Sequence, residues 1–90
     1  MAFPTYSEIV EATLVAIESL GGVASNYDID DHIAVYLGLN EADLAWRDPG
    51  YGTVFAHRTR AARTLLKAQR LLDNPCRSTW ALRRSLQHKG

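Results

Sequence analysis

Thr53-Val-Phe-Ala-His-Arg-Thr-Arg-Ala-Ala-Arg-Thr-Leu-Leu-Lys-Ala-Gln-Arg-Leu71 reads as one helix with two unlike faces. Steps of the helical period place Phe55, Ala62 and Leu66 on one stripe, with Val54 and Leu65 beside it. Arg60, Arg63, Lys67 and Arg70 gather about a third of a turn away. Solvated helix faces ordinarily mix the two signs of charge at i, i+4 spacing, but residues 53–71 contain neither Asp nor Glu. Like charges without internal partners repel one another, and a docked polyanion relieves that repulsion. One face therefore asks for a core and the other for an anion.

The rest of the chain supports the same division. Ninety residues, 47% of them apolar, suffice for one small core and exclude a disordered chain, but leave little room for a deep enzymatic cleft. Ten basic and ten acidic side chains cancel, so net charge says nothing about a partner. Their positions say more: residues 1–46 hold eight acidic groups and no Lys or Arg, whereas residues 47–90 hold all ten basic groups with only Asp48 and Asp73. Such polarity suits a nucleic-acid-binding domain with one basic side. The single cysteine, Cys76, has no second thiol to pair with. With no signal peptide and no apolar run of membrane length, this predicts a cytoplasmic protein that binds no membrane.

In chain order, Thr5-Tyr6-Ser7-Glu8 offers capping hydroxyls before Ile9, Val10, Thr13, Leu14, Ile17 and Leu20 recur at helical spacing, predicting a first helix over residues 5–21 closed by Gly21-Gly22. A short extended piece at Val23-Ala24 leads to a second helix over residues 25–38, with Ile29, Ile33, Tyr36 and Leu37 inward and Gly38 as terminator. Asp28, Asp30 and Asp31 lie near its start, where the helix dipole favours negative charge; they lack the spacing of a calcium loop. Asn40 caps a short helix over residues 40–46, with Trp46 expected as a core plug. Arg47-Asp48-Pro49-Gly50-Tyr51-Gly52 reads as a loop delivering the chain to Thr53, the N-cap of the basic helix over residues 53–70. A hairpin over residues 72–82, with Cys76-Arg77-Ser78 as its turn, follows, and then a fraying tail carrying Arg83, Arg84, His88 and Lys89.

This order is that of a winged helix-turn-helix: a mainly α fold with a small β-hairpin, whose last helix enters the major groove while the hairpin lies along the backbone or in the minor groove. The candidate DNA contacts are Thr53, Arg60, Arg63, Thr64, Lys67 and Arg70 on or beside the helix, and Arg77, Arg83 and Arg84 on the hairpin side. Arg58 falls on the apolar stripe and needs either a carboxylate or a route out of the core.

The run from Phe55 through Arg58, Arg60, Ala62-Arg63-Thr64 and Leu66-Lys67 to Asp73, with Pro4-Thr5-Tyr6 before it and Thr79-Trp80-Ala81-Leu82 after it, resembles the amino-terminal winged-helix domain of Mrr-type restriction endonucleases. The resemblance spans most of the chain. It implies a DNA-recognition module that precedes a separate nuclease domain acting on foreign or modified DNA. Relatives carry Gly near the positions of Arg70 and Ser78; a left-handed Arg70 costs on the order of 1 kcal/mol.

The nuclease chemistry of that family needs Asp and Glu or Gln with Lys round a divalent metal. Gln87-His88-Lys89 has the letters of one element but no following strand and no partner Asp, and His32, His57 and His88 are scattered. No enzyme and no cofactor are expected within these residues. The chain reads as a cut-out or stand-alone DNA binder, fused to or accompanied by a nuclease, with a homodimer as one route to useful specificity. The other readings are a protein-interaction or dimerisation winged helix that binds no nucleic acid, using the acidic half or Tyr27, Tyr36, Trp46 and Tyr51, and an RNA binder using the same basic face.

Overall fold

Capping decides where the first helix begins. In the computed structural model, which describes residues 3–48, 50 and 52–83, Thr5 and Glu8 form a reciprocal capping box at the head of α1 (Tyr6–Ser19). Ile9, Ala12, Thr13, Ala16 and Ile17 are its buried face, and the Thr13 hydroxyl is satisfied by donating to the Ile9 carbonyl at 2.7 Å. The helix stops because Gly21 and Gly22 take φ of 97° and 94°, which lets the Gly22 N–H close on the Ile17 carbonyl at 2.8 Å.

The chain then runs through β1 (Val23–Ser25), α2 (Asn26–Tyr36), α3 (Glu41–Ala45), β2 (Arg47–Asp48), β3 (Gly52–Thr53), α4 (Val54–Ala68), β4 (Leu72–Cys76) and β5 (Thr79–Leu82). It is mainly helical with two small antiparallel sheets. The larger has the order β1-β5-β4, with Val23 opposite Ala81 and Leu72 opposite Leu82. Ile17 from α1, Ile29 and Ile33 from α2, Phe55 and Leu66 from α4, and Leu72 and Leu82 from the sheet meet in one cluster. This cluster holds the basic helix against the other two long helices and the sheet.

Several expectations are corrected. The pair Arg47 with Thr53 and Asp48 with Gly52 makes a small ladder where a plain loop was expected. Cys76 pairs with Thr79, so the turn of the second hairpin is Arg77-Ser78 and not a three-residue turn. Pro75 offers no N–H, and the register shifts between Asp73 and Cys76 on this edge strand; the Asn74 amide fills in by donating to the Cys76 and Thr79 carbonyls. Trp46 is no core plug. Five-residue α3 buries none of its residues, and the extended Trp46 backbone (φ −59°, ψ 122°) leaves the side chain 50% exposed, with Leu39 and Leu44 packing against the core in its place. Arg58 finds a carbonyl in place of a carboxylate: it donates to Pro4 O at 3.2 Å and lies over the Phe3 ring at 5.3 Å.

The helix expected to end at residue 70 ends at Ala68, with Gln69 as cap and Arg70 in the left-handed region at φ 65°. Ser78 does the same at φ 63°. Both are exposed, so neither conformation is enforced by packing of the side chain. Arg70→Gly and Ser78→Gly are each expected to stabilise the fold by about 0.5–1 kcal/mol, the relief of the left-handed strain outweighing glycine's extra chain entropy. Thermal unfolding checks this: a midpoint raised by a few degrees is expected, and a lowered one contradicts the strain argument. Tyr51, Arg84 and the Gln87-His88-Lys89 run lie outside the described residues.

Candidate nucleic-acid interface

The basic face is built by α4. The Thr53 hydroxyl accepts from the Ala56 N–H at 3.1 Å to start it, and Lys67 stands in its last turn, where the negative end of the dipole favours a cation. Val54, Phe55, Thr59, Ala62, Arg63 and Leu66 are buried. His57, Arg60, Thr64, Lys67 and Ala68 are exposed on the opposite side. Arg60, Thr64 and Lys67 follow i, i+4, i+7 spacing, one line running about 10 Å along the axis. Such a line of two cations and a hydroxyl can donate to successive phosphate oxygens of a polyanion. A shallow depression of about 450 Å³ runs beside it, with Ala61, Leu65 and Ala68 in its wall.

Arg63 does not belong to this line, and its expected groove-facing position is corrected. Its direction lies at the margin between the two faces, and the side chain turns inward, only 7% exposed, to donate to Asp30 Oδ1 at 3.0 Å from Nη1. The guanidinium also covers the Trp80 ring at 5.7 Å, tying α4 to both α2 and β5. Asp30 is likewise corrected from a residue serving the helix dipole to one half of this pair. Burial pushes its carboxyl above the usual carboxylate range, with Asp31 adding to the rise. The Arg63 charge and hydrogen bonds from Thr59 and Arg63 oppose that rise without cancelling it. The Arg63 Nε is buried without a partner among the described residues, another sign that the pair is tolerated more than it is favourable. Thr59 and Asp30 carry no sequence signal that links them to Arg63, which lies 33 residues from Asp30.

The other candidates are dispersed. Thr53 is half-buried and occupied as a cap. Arg70 is exposed just past the helix end, and Arg77 is exposed in the β4–β5 turn. Arg83 is held back by Asp73, which it reaches at 2.8 Å, and its N–H closes on the Leu71 carbonyl at 3.0 Å. Arg84 falls outside the described residues. Sequence reading passed over Arg47, which is exposed on β2 directly opposite Thr53 and so stands beside the start of α4. No group of three or more His, Cys, Asp or Glu among the described residues is placed to hold a metal ion, and no helix among them is long and apolar enough to cross a membrane.

The sequence model of a family described as the Mrr N-terminal domain matches residues 6–85. Neither the curated proteins nor the solved structures provide a match.

Proposed function

The chain belongs to the Mrr N-terminal domain family, and from that membership we propose that it is a DNA-binding winged helix-turn-helix module of an Mrr-type restriction system. α4 serves as the recognition helix and the β4–β5 hairpin as the wing. The observation that carries this reading is the outer face of α4, where Arg60, Thr64 and Lys67 stand exposed in one line on a helix with no acidic residue. Double-stranded DNA supplies the complementary row of phosphates, which position the helix, while base edges reach whichever of these side chains enters the major groove. Arg70, Arg77 and Arg47 extend the cationic surface at the helix ends and the wing tip. A nuclease domain, fused or separate, supplies cleavage in the cytoplasm.

The order β1-β5-β4 supports the winged-helix reading, because it places the hairpin beside the first strand, with β4 at the edge of the sheet among the described residues and in contact with α4. Fluorescence anisotropy with a random-sequence duplex tests the surface. Arg60→Ala and Lys67→Ala are each expected to weaken binding and to flatten the log–log salt dependence by about 1, with an unchanged unfolding midpoint. Salt slopes equal to that of the native chain in both variants remove α4 from the interface.

One observation favours a second reading. α2 exposes Tyr27 by 73% and Val35 by 81% alongside the exposed Asp28 and Asp31, a pattern suited to contact with another protein. Tyr27→Ala and Val35→Ala leave DNA affinity untouched in the first reading.

A further inference from the structure

Trp46 is half exposed and lines a cavity together with Arg47 and Arg58. It lines two neighbouring cavities, the larger of about 630 Å³, so its ring is approached from more than one side. Its position is fixed: its ring system and Phe3 stand edge-to-face with centroids 5.3 Å apart and planes at 70°, and its carbonyl accepts from the Val54 N–H at 2.9 Å. Tyr6, held by its hydroxyl to the Ala61 carbonyl at 3.2 Å, is a second aromatic wall of the larger cavity. Arg47, Asp48, His57 and Arg58 supply the polar part of the lining.

These groups match one ligand chemistry. Flat aromatic surface with cations beside it is how proteins hold an unstacked base together with its phosphate. Two guanidiniums and one carboxylate leave a single positive charge at the mouth, which balances one phosphodiester and not the charge of a triphosphate. Arg58 uses one N–H on Pro4 O and keeps others for an anion. His57 and Ala61 also line the depression on the outer face of α4, so the cavity opens beside the surface assigned to DNA.

We propose that the cavity between Tyr6, Trp46, Arg47 and Arg58 is a binding site for a single unstacked nucleotide, its base against Trp46 and its phosphate between the two arginines. Where that nucleotide belongs to a DNA strand, the inference rests on the proposed DNA-binding function. A free mononucleotide presents the same base without it, with a phosphomonoester that carries about one further negative charge at neutral pH.

The Trp80→Phe variant leaves Trp46 as the only tryptophan of the sequence, so its fluorescence reports the cavity. Four probes are titrated into it: dAMP, a duplex with one bulged adenosine, the matching unbroken duplex, and inorganic phosphate. Quenching by dAMP or by the bulged duplex, and none by phosphate, is the expected result; quenching by dAMP alone identifies a free nucleotide as the source, and by the bulged duplex alone an extruded base. Trp46→Ala is expected to weaken binding of the bulged duplex or dAMP at least about fivefold by anisotropy or equilibrium dialysis. Arg47→Ala, on an exposed strand, tests the phosphate contact should Trp46→Ala fail to fold; because Arg47 also extends the proposed DNA surface, the reading is its dAMP affinity or the ratio of bulged to unbroken duplex affinity, either of which is expected to fall. Fluorescence unmoved by dAMP and the bulged duplex, or native affinity for both in Trp46→Ala and Arg47→Ala, overturns the proposal. Binding of the unbroken duplex reads the α4 face separately, so failure of the cavity and failure of the DNA reading give different results.

Discussion

Arg63→Ala is expected to destabilise the chain by about 3 kcal/mol, the low end of the range for removing one partner of a buried ion pair because Asp30 keeps 25% of its side chain in contact with solvent. The variant leaves the Asp30 carboxylate desolvated without its cation and uncovers Trp80, where the guanidinium had packed. The loss has a pH dependence with a definite sign. In the native chain the folded Asp30 pKa already lies above its ordinary value of 3.8, so the folded state holds the proton more tightly than the unfolded state. Below 3.8 the carboxyl is neutral in both states and its burial is harmless; as pH rises through the raised folded value, stability is lost. Removing Arg63 raises that folded value further, so the deficit of the variant should be smallest near pH 4 and grow toward neutrality. Urea unfolding across that range checks it, with Arg63→Ala/Asp30→Asn as the control in which the pH-dependent part of the deficit vanishes. A deficit independent of pH contradicts the assignment of Asp30 as the partner.

Leu66→Ala is expected to cost about 2–5 kcal/mol, for a different reason. Leu66 is 1% exposed and sits in the cluster formed by α1, α2, α4 and the sheet, so its truncation removes apolar burial and leaves a cavity walled by three helices that cannot all close on it. Denaturant unfolding should show a lower midpoint with an unchanged slope. A variant as stable as the native chain means that the two faces of α4 are exchanged. The pair of substitutions therefore separates two kinds of buried residue on one helix: the effect of Leu66→Ala has no titrating group behind it, and that of Arg63→Ala does.

The difference between these two residues also marks how far the sequence could be read. Leu66 follows from periodicity, because apolar side chains three and four apart on a helix share a face regardless of what they pack against. Thr53, Thr5 and Gly21-Gly22 were equally legible, since capping depends on atoms a few residues away. Arg70 and Ser78 were marked by the resemblance, which implies glycine near both, and the backbone at both is left-handed. Arg63 was misread because its direction falls at the margin of the two faces, and what turns it inward is Asp30, a residue distant in sequence that became close only through packing of α2 on α4. Periodicity carries no information about such a partner. Trp46 failed for a related reason: a large aromatic residue is a good core candidate by type, but α3 is too short to aim it, and Leu39 and Leu44 occupy the space. The site narrowed accordingly. Of the residues expected on the helix, Arg60, Thr64 and Lys67 share its outer line, whereas Arg83 is tied to Asp73 and Arg47 joins from outside the expected set.

The central claim is that the outer face of α4 neutralises DNA phosphates. The most direct measurement is the affinity of the native chain for a random-sequence duplex at three salt concentrations. Binding that falls with a log–log slope near −0.9 for each phosphate contacted, totalling about −2 or steeper for Arg60 and Lys67 acting together, is the result predicted. No binding at low salt, or binding indifferent to salt, contradicts the account.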